Sequence, residues 1–184
     1  MTHDTDDRAL DVLDFWWAAG EAKWYGGGEE FDTEIREKFG ALHQEAASGN
    51  LNHWQESPSG ALALLILLDQ FSRNLFRNDA HAFASDPLAL AIAKSSLEKG
   101  FDRAFPSPHR GFFYLPFEHC EDIGAQERAV DLFRVMGNMA NYHYALIHMD
   151  VIRRFGRFPH RNAVLGRVST PEEQKFLDSG GFSA

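Results

Sequence analysis

The run Ala61-Leu62-Ala63-Leu64-Leu65-Ile66-Leu67-Leu68 is apolar on every side, so whatever element carries it has to be covered all round. A run this short can be a buried strand. Leucine and alanine outnumber β-branched residues in it, however, and the pattern continues through Asp69, Gln70, Phe71, Arg73 and Phe76 at helical spacing. Ser57-Pro58 ahead of it has the form of an N-cap followed by the first helical position. The chain is therefore expected to fold around a buried central helix.

The flanking segments are helical too. Between Asp6 and Ala19, Leu10, Leu13 and Trp17 recur at helical spacing, Phe15 and Trp16 widen the stripe, and Gly20 supplies a stop. After a Gly26-Gly27-Gly28 turn, Asp32 is read as an N-cap for a helix with Ile35, Phe39 and Leu42 on one face, ending at Gly49. Asp86-Pro87 opens a helix that Gly100 ends, while Pro106, Pro108 and Pro116 restrict the aromatic segment between them to short helical turns. Ala129, Leu132, Phe133 and Met136 mark a helix that halts near Gly137, and another runs from Met139 to Phe155 before Gly156. Thr170-Pro171-Glu172-Glu173 is a capping box with Phe176 and Leu177 behind it. No segment alternates with period two. The expected fold is all-α, with about seven or eight helices in antiparallel pairs, as a bundle or a short solenoid.

The length of 184 residues suits one domain, 1–184, with flexible ends expected at 1–7 and 179–184. Sixteen phenylalanines and four tryptophans argue for aromatic packing rather than disorder. The single cysteine, Cys120, excludes an intrachain disulfide and any zinc site built on paired thiolates. The acidic start does not resemble a secretory signal, and no window reaches eighteen uninterrupted apolar residues, so a cytoplasmic protein without membrane attachment is expected. A net charge of -9 argues against nucleic acid as the main partner. Twelve acids against four bases fall within residues 1–50, so the acidic N-terminal third and a basic segment near the C-terminus are candidates to pair.

Three polar groupings can carry chemistry. The first is Asp69, Gln70, Arg73, Asn74 and Arg77 at the end of the central helix, where Asp69, Arg73 and Arg77 share a face; an internal ion pair and a ligand-facing role are both open. The second is Glu118-His119-Cys120-Glu121, with Tyr114 before it. If helical, it sets Glu118 and Glu121 on one face, fit for acid–base work, for a metal, or for capping a helix and pairing with arginines. No known metal signature is present, and His143 and His148 are five apart, the wrong spacing for one helical face, so no metal and no cofactor are expected. The third is Arg153 to Thr170, with five arginines, one histidine and no acid. There Arg153 and Arg154 can pair with Asp150, and Arg157, His160, Arg161, Asn162 and Arg167 come after them on a loop directed by Pro159, with His148 one or two turns upstream.

Leu67-Leu68-Asp69-Gln70-Phe71, Arg73-Asn74, Phe76-Arg77, Tyr114-Leu115-Pro116-Phe117-Glu118-His119 and the Gly-Arg-Phe-Pro-His-Arg-Asn core of residues 153–173 resemble the uncharacterised bacterial family called domain of unknown function 924. The resemblance runs from about Ala9 to Phe182. It implies an all-α fold similar to tetratricopeptide-repeat superhelices, and it implies no activity. Ser72 stands where proline is usual and Cys120 where serine is usual, which bears on local geometry and on any hydroxyl role at 120.

Three functions remain on sequence grounds. One is binding of an anionic small molecule or a peptide carboxylate in a cleft formed by Asp69, Arg73, Arg77, Tyr114, Glu118, His119, Glu121, His148, Arg157, His160, Arg161 and Asn162. Another is a hydrolase or lyase for a phosphorylated or carboxylated substrate, with Glu118 or Glu121 as base, a histidine as acid and Arg157 and Arg161 as anion clamp. The third is a protein-interaction domain, with homo-oligomerisation left open.

Overall fold

The computed structural model describes residues 6–182. Seven long helices match the segments read from periodicity: α1 (Asp7–Ala19), α3 (Gly28–Ala47), α4 (58–75), α5 (Asp86–Glu98), α7 (Ile123–Met136), α8 (Met139–Phe155) and α9 (Pro171–Asp178). Two single-turn helices add to them, α2 (Glu21–Trp24) and α6 (Leu115–Glu118), and no strand occurs among the described residues. No helix among them is long and apolar enough to cross a membrane.

The central rod α4 has three parts: Pro58–Leu65, a π-helical turn Ile66–Phe71 and a last turn Ser72–Leu75. Its start is fixed as expected, with the Ser57 hydroxyl accepting the Gly60 N–H at 3.1 Å and proline in the first turn. Every residue from Ala61 to Leu68 is buried. The cover comes from α1 and α3 on one side and α5 on the other, the 3-10 turns Asn52–Glu56 and Phe101–Ala104 closing the gaps. Aromatic rings lock these layers together: Trp16 stands edge-on to Phe71 and Phe112 at 5.4 and 5.8 Å between centroids.

Two sequence expectations are corrected. The buried stripe of α1 is Ala9, Val12, Leu13 and Trp16, while Leu10 is 41% exposed. Asp32 is not an N-cap. It lies inside α3, which begins at Gly28, and its buried carboxylate receives Asn74 and both arms of Arg77 from the end of α4.

The helices α7 and α8 form an antiparallel pair joined through Gly137 and Asn138, Gly137 taking the left-handed conformation at φ 79° that ends α7 and Asn138 capping α8. At the C-terminal end of α8, Val151 and Ile152 form a small second core with Phe158, against which Phe155, Phe176 and Phe182 pack. The Thr170–Glu173 capping box of α9 is present. The expectation of flexible ends falls partly on residues 1–5 and 183–184, outside the described residues. Inside them, Asp6 caps α1 and the Phe182 ring lies 4.4 Å from His148. The seam between the large core and the small one holds a group of buried polar side chains.

Candidate functional site

The π turn of α4 puts Asp69 into this seam. A π turn takes up one residue more than an α turn and so rotates the residues beyond it about the helix axis; such turns recur at functional sites. The turn is fastened at Leu68, whose carbonyl accepts the hydroxyls of Ser72 at 2.7 Å and Ser85 at 2.6 Å. Asp69 is buried, and its carboxylate accepts from Gln70 Nε2 at 2.6 Å and from His119 Nδ1 at 2.8 and 3.0 Å. Arg73, one turn on, lies 3.4 Å from the same carboxylate, donates to the Asp69 carbonyl and forms a fork with Asp86 at 3.1 and 3.2 Å.

Glu118 and His119 close the short helix α6, and α8 brings His148 to face them. His148 Nδ1 donates to the Tyr144 carbonyl one turn back at 2.9 Å and lies 3.2 Å from Glu118 Oε1. Glu118 Oε2 is buried and has no hydrogen-bond partner among the described residues. The ligand atoms of Glu118, His119 and His148 all lie within 4.8 Å of one another.

Arg161, on the turn Pro159–Arg161, forms the floor. Its guanidinium is sandwiched between the Phe83 and Phe158 rings, 4.5 Å from each centroid, and donates to the His119 carbonyl at 3.1 Å and to Asp86 at 3.4 Å. Two arginines thus share the Asp86 carboxylate.

The electrostatics are set by burial. Burial, aided by the negative Asp69, pushes the Glu118 carboxyl up to about 8. It drives the His148 imidazole down to about 3, with His119 adding to the effect. Burial also lowers His119, against the pull of Asp69. Burial acts to raise Asp69, but Arg73 and His119 outweigh it and keep that carboxyl below its ordinary range. Burial brings Arg161 down to about 10, still charged at neutral pH. Burial also raises Asp86, against Arg73. Near neutrality the Arg73 and Arg161 cations and the Asp69 carboxylate therefore surround a protonated Glu118 and two neutral imidazoles.

Of the residues singled out from sequence, Asp69, Arg73, Glu118, His119, His148 and Arg161 meet here. His160 lies at the edge, its ring against Phe158 and Phe182 and its titration lowered to about 4 by burial and by Arg161. The others are engaged elsewhere. Arg77 is forked on Asp32, and the Tyr114 hydroxyl donates to Asp102 at 2.8 Å. Arg157 is forked on Glu173 at 2.6 and 2.8 Å, and Asn162 bridges Glu173 and Arg167. Glu118 and Glu121 do not share a face, because α6 ends at His119 and turns the chain: Glu121 takes the Arg167 fork at 2.6 and 2.9 Å and the Phe158 N–H at 2.7 Å. Nor, among the described residues, do the N-terminal acids pair with the basic segment. Its arginines find Asp86, Glu121, Asp150 and Glu173.

Asp86 is legible in the sequence only as a helix opener. Tyr25 carries no sequence signal. The residue is 62% exposed, yet its phenol is pushed up to about 12, first by burial of the hydroxyl, against Asn141 beside it and in the same direction as Glu118, Glu21 and Asp69.

A solved structure of a protein of unknown function, ATU0120 from Agrobacterium tumefaciens, is similar to this chain with TM-score 0.92 and 46% sequence identity, covering 96% of this chain and 100% of that one. The comparison with curated proteins gave no match. With the helical architecture and the motifs around Asp69, His119 and Arg161 in place, the family profile that matches residues 12–181 decides the affiliation: the chain belongs to the bacterial family of unknown function DUF924.

Proposed function

We propose that the seam is the active site of a small-molecule enzyme carrying out polar chemistry of the hydrolase or lyase kind, with His119 Nε2 as its working atom. The observation that carries this reading is the hydrogen bond from His119 Nδ1–H to the buried Asp69 carboxylate at 2.8 Å. A carboxylate in that position fixes the tautomer and the ring direction, leaving a lone pair on Nε2 that is aimed rather than free to rotate. The His119 side chain is 14% exposed. Glu118 and His148 beside it supply a second proton-handling pair.

The arrangement favours this over capture of an anion. An anion clamp needs guanidinium groups with donors to spare, and Arg77, Arg157 and Arg167 are each forked on a carboxylate. Arg73, its side chain 25% exposed, is likewise forked on Asp86 and held by Asp69. Binding without turnover, as in a helical-repeat receptor, is the second reading; the buried neutral groups around His119 have no part in it.

The test is a turnover screen with carboxylic esters, amides, phosphomonoesters and β-eliminating hydroxy acids on wild type, His119→Gln and Asp69→Asn. The expected result is an activity abolished by His119→Gln and reduced by Asp69→Asn in proteins of unchanged helicity. A compound that raises Tm without being converted, or a turnover indifferent to His119→Gln, would sink the proposal.

A further inference from the structure

We infer that Glu118, His119 and His148 form a binding site for a divalent transition-metal ion of the zinc, cobalt or nickel type. The inference rests on the reading of the seam as a site of polar chemistry and names its cofactor class. An ion held there would take the His119 lone pair and the Glu118 carboxylate, whose proton would be released to solvent on binding, and would supply Lewis acidity and lower the pKa of a bound water.

Three observations carry it. The first is placement: the three ligand atoms lie within 4.8 Å of one another, on side chains that are almost wholly buried. Bonds of about 2.0–2.1 Å in a tetrahedral site set ligand atoms about 3.4 Å apart, so binding asks for side-chain movements on the order of 1 Å.

The second is the outer shell. Histidines that bind metals donate their other ring N–H to a carboxylate or a backbone carbonyl, which sets the ring and raises its basicity. His119 is held in that way through Nδ1 by the Asp69 carboxylate at 2.8 Å, which leaves Nε2 as its lone-pair nitrogen. His148 Nδ1 stands between the Tyr144 carbonyl at 2.9 Å and Glu118 Oε1 at 3.2 Å, so the ring is already set beside the carboxylate.

The third is an orphan. Glu118 Oε2 is buried without a hydrogen-bond partner among the described residues, and a buried acceptor in that state calls for an unseen donor or cation. None of the hydrogen bonds of the nearby arginines reaches it: Arg73 and Arg161 bond to Asp86, to the Asp69 carbonyl and to the His119 carbonyl, and Arg161 Nε is itself buried without a partner among the described residues.

Two nitrogens and one carboxylate oxygen suit zinc and its neighbours in the first transition row rather than calcium or magnesium, which take all-oxygen shells. Three protein ligands leave a fourth position for water or substrate, the pattern of catalytic rather than structural zinc. The only cysteine, Cys120, is not among the clustered ligands.

The experiment uses the full chain, stripped by chelator and dialysed, and titrates it with Co2+ followed by the visible d–d absorption of the bound ion, then with Zn2+ in competition. Wild type is expected to bind one ion per chain with the intense bands of a four-coordinate site. Glu118→Gln and His148→Gln are expected to lose affinity by about 100-fold or more, and Asp69→Asn by about 10–100-fold through its hold on His119. Glu118→Gln keeps size and shape, and far-UV circular dichroism and Tm confirm that each variant is folded. Absence of the d–d bands in wild type would overturn the inference, as would binding equally strong in Glu118→Gln and His148→Gln, which would put the ion elsewhere.

Because the titration needs no substrate, the two proposals fail separately. Turnover that persists in the stripped protein, with no ion bound, removes the metal and keeps the acid–base site. An ion bound at these residues with no turnover in the screen does the reverse.

Discussion

Asp69 and His119 are fifty positions apart in the chain, and the carboxylate of one takes the Nδ1–H of the other at 2.8 Å. The contact joins the π turn of the central rod to the end of α6, so the direction of the imidazole is set by the core on both sides. The expected consequence is a single His119 tautomer with its proton on Nδ1. Long-range proton–nitrogen correlation spectra of the histidine rings should show it in wild type and show exchange between tautomers in Asp69→Asn. If a substrate emerges from the screen, its turnover should fall by about 10²-fold or more in that variant, as happens when an orienting carboxylate is neutralised.

Arg161 is expected to behave as part of the fold. Its guanidinium is pressed between Phe83 and Phe158 and tied to Asp86 and the His119 carbonyl. Arg161→Ala leaves a cavity and removes one partner of a buried pair, a loss of about 3 kcal/mol or more, which lowers Tm by roughly 6–12 °C at this chain length. Arg161→Lys should recover only part of it, since an ammonium neither stacks nor forks. Sulfate or phosphate at fixed ionic strength should shift Tm equally little in wild type and mutant. A large anion-specific shift in wild type alone would return Arg161 to the role of a clamp.

The contrast between legible and illegible features tracks the range of the interaction. The α9 capping box, the Ser57 cap and the Gly137 stop involve residues within a few positions of each other, and each is where the sequence puts it. The buried run 61–68 needs only its composition to be recognised. Asp32 misleads because a carboxylate before an apolar stripe has the form of a cap, whereas its partner Arg77 lies forty-five residues away. Glu118 and Glu121 diverge because α6 stops between them, a bend that depends on packing rather than on a local signal. The pairings that build the site, Asp69 with His119 and Glu118 with His148, cross the seam between helices. No spacing rule along one helix can reveal them.

Acid should weaken the C-terminal unit through Glu173. The Arg157 fork, then the Thr170 N–H and Asn162, hold the Glu173 carboxyl down to about 2. A group whose folded-state pKa lies below its unfolded one adds stability above the unfolded value, near 4.5, and that contribution is lost as pH falls toward 2. Glu173→Gln removes this dependence. Thermal unfolding monitored between about pH 6 and 2.5 should therefore give a lower Tm for the variant at the upper end and curves that converge at the lower end. Parallel curves would mean that Glu173 does not carry the acid response.

Two glycines separate helix propensity from steric fit. Alanine is favoured over glycine inside a helix by about 1 kcal/mol, so propensity alone predicts that Gly40→Ala in α3 and Gly60→Ala in α4 both stabilise. At Gly40 an added Cβ meets nothing within 4 Å, and the expected gain is about 0.5–1 kcal/mol. At Gly60 it would lie 2.3 Å from the Trp54 carbonyl oxygen and 2.9 Å from the Ser57 hydroxyl that caps the rod. Neither neighbour gives way easily, because the Trp54 ring is buried and its Nε1–H is bonded to Asp6 at 3.1 Å. The clash outweighs the propensity, and Gly60→Ala should cost about 1–3 kcal/mol. Urea unfolding of the two variants checks both signs at once: a midpoint raised in Gly40→Ala and lowered in Gly60→Ala is expected, and a rise in both would mean that the turn at Trp54 yields without cost.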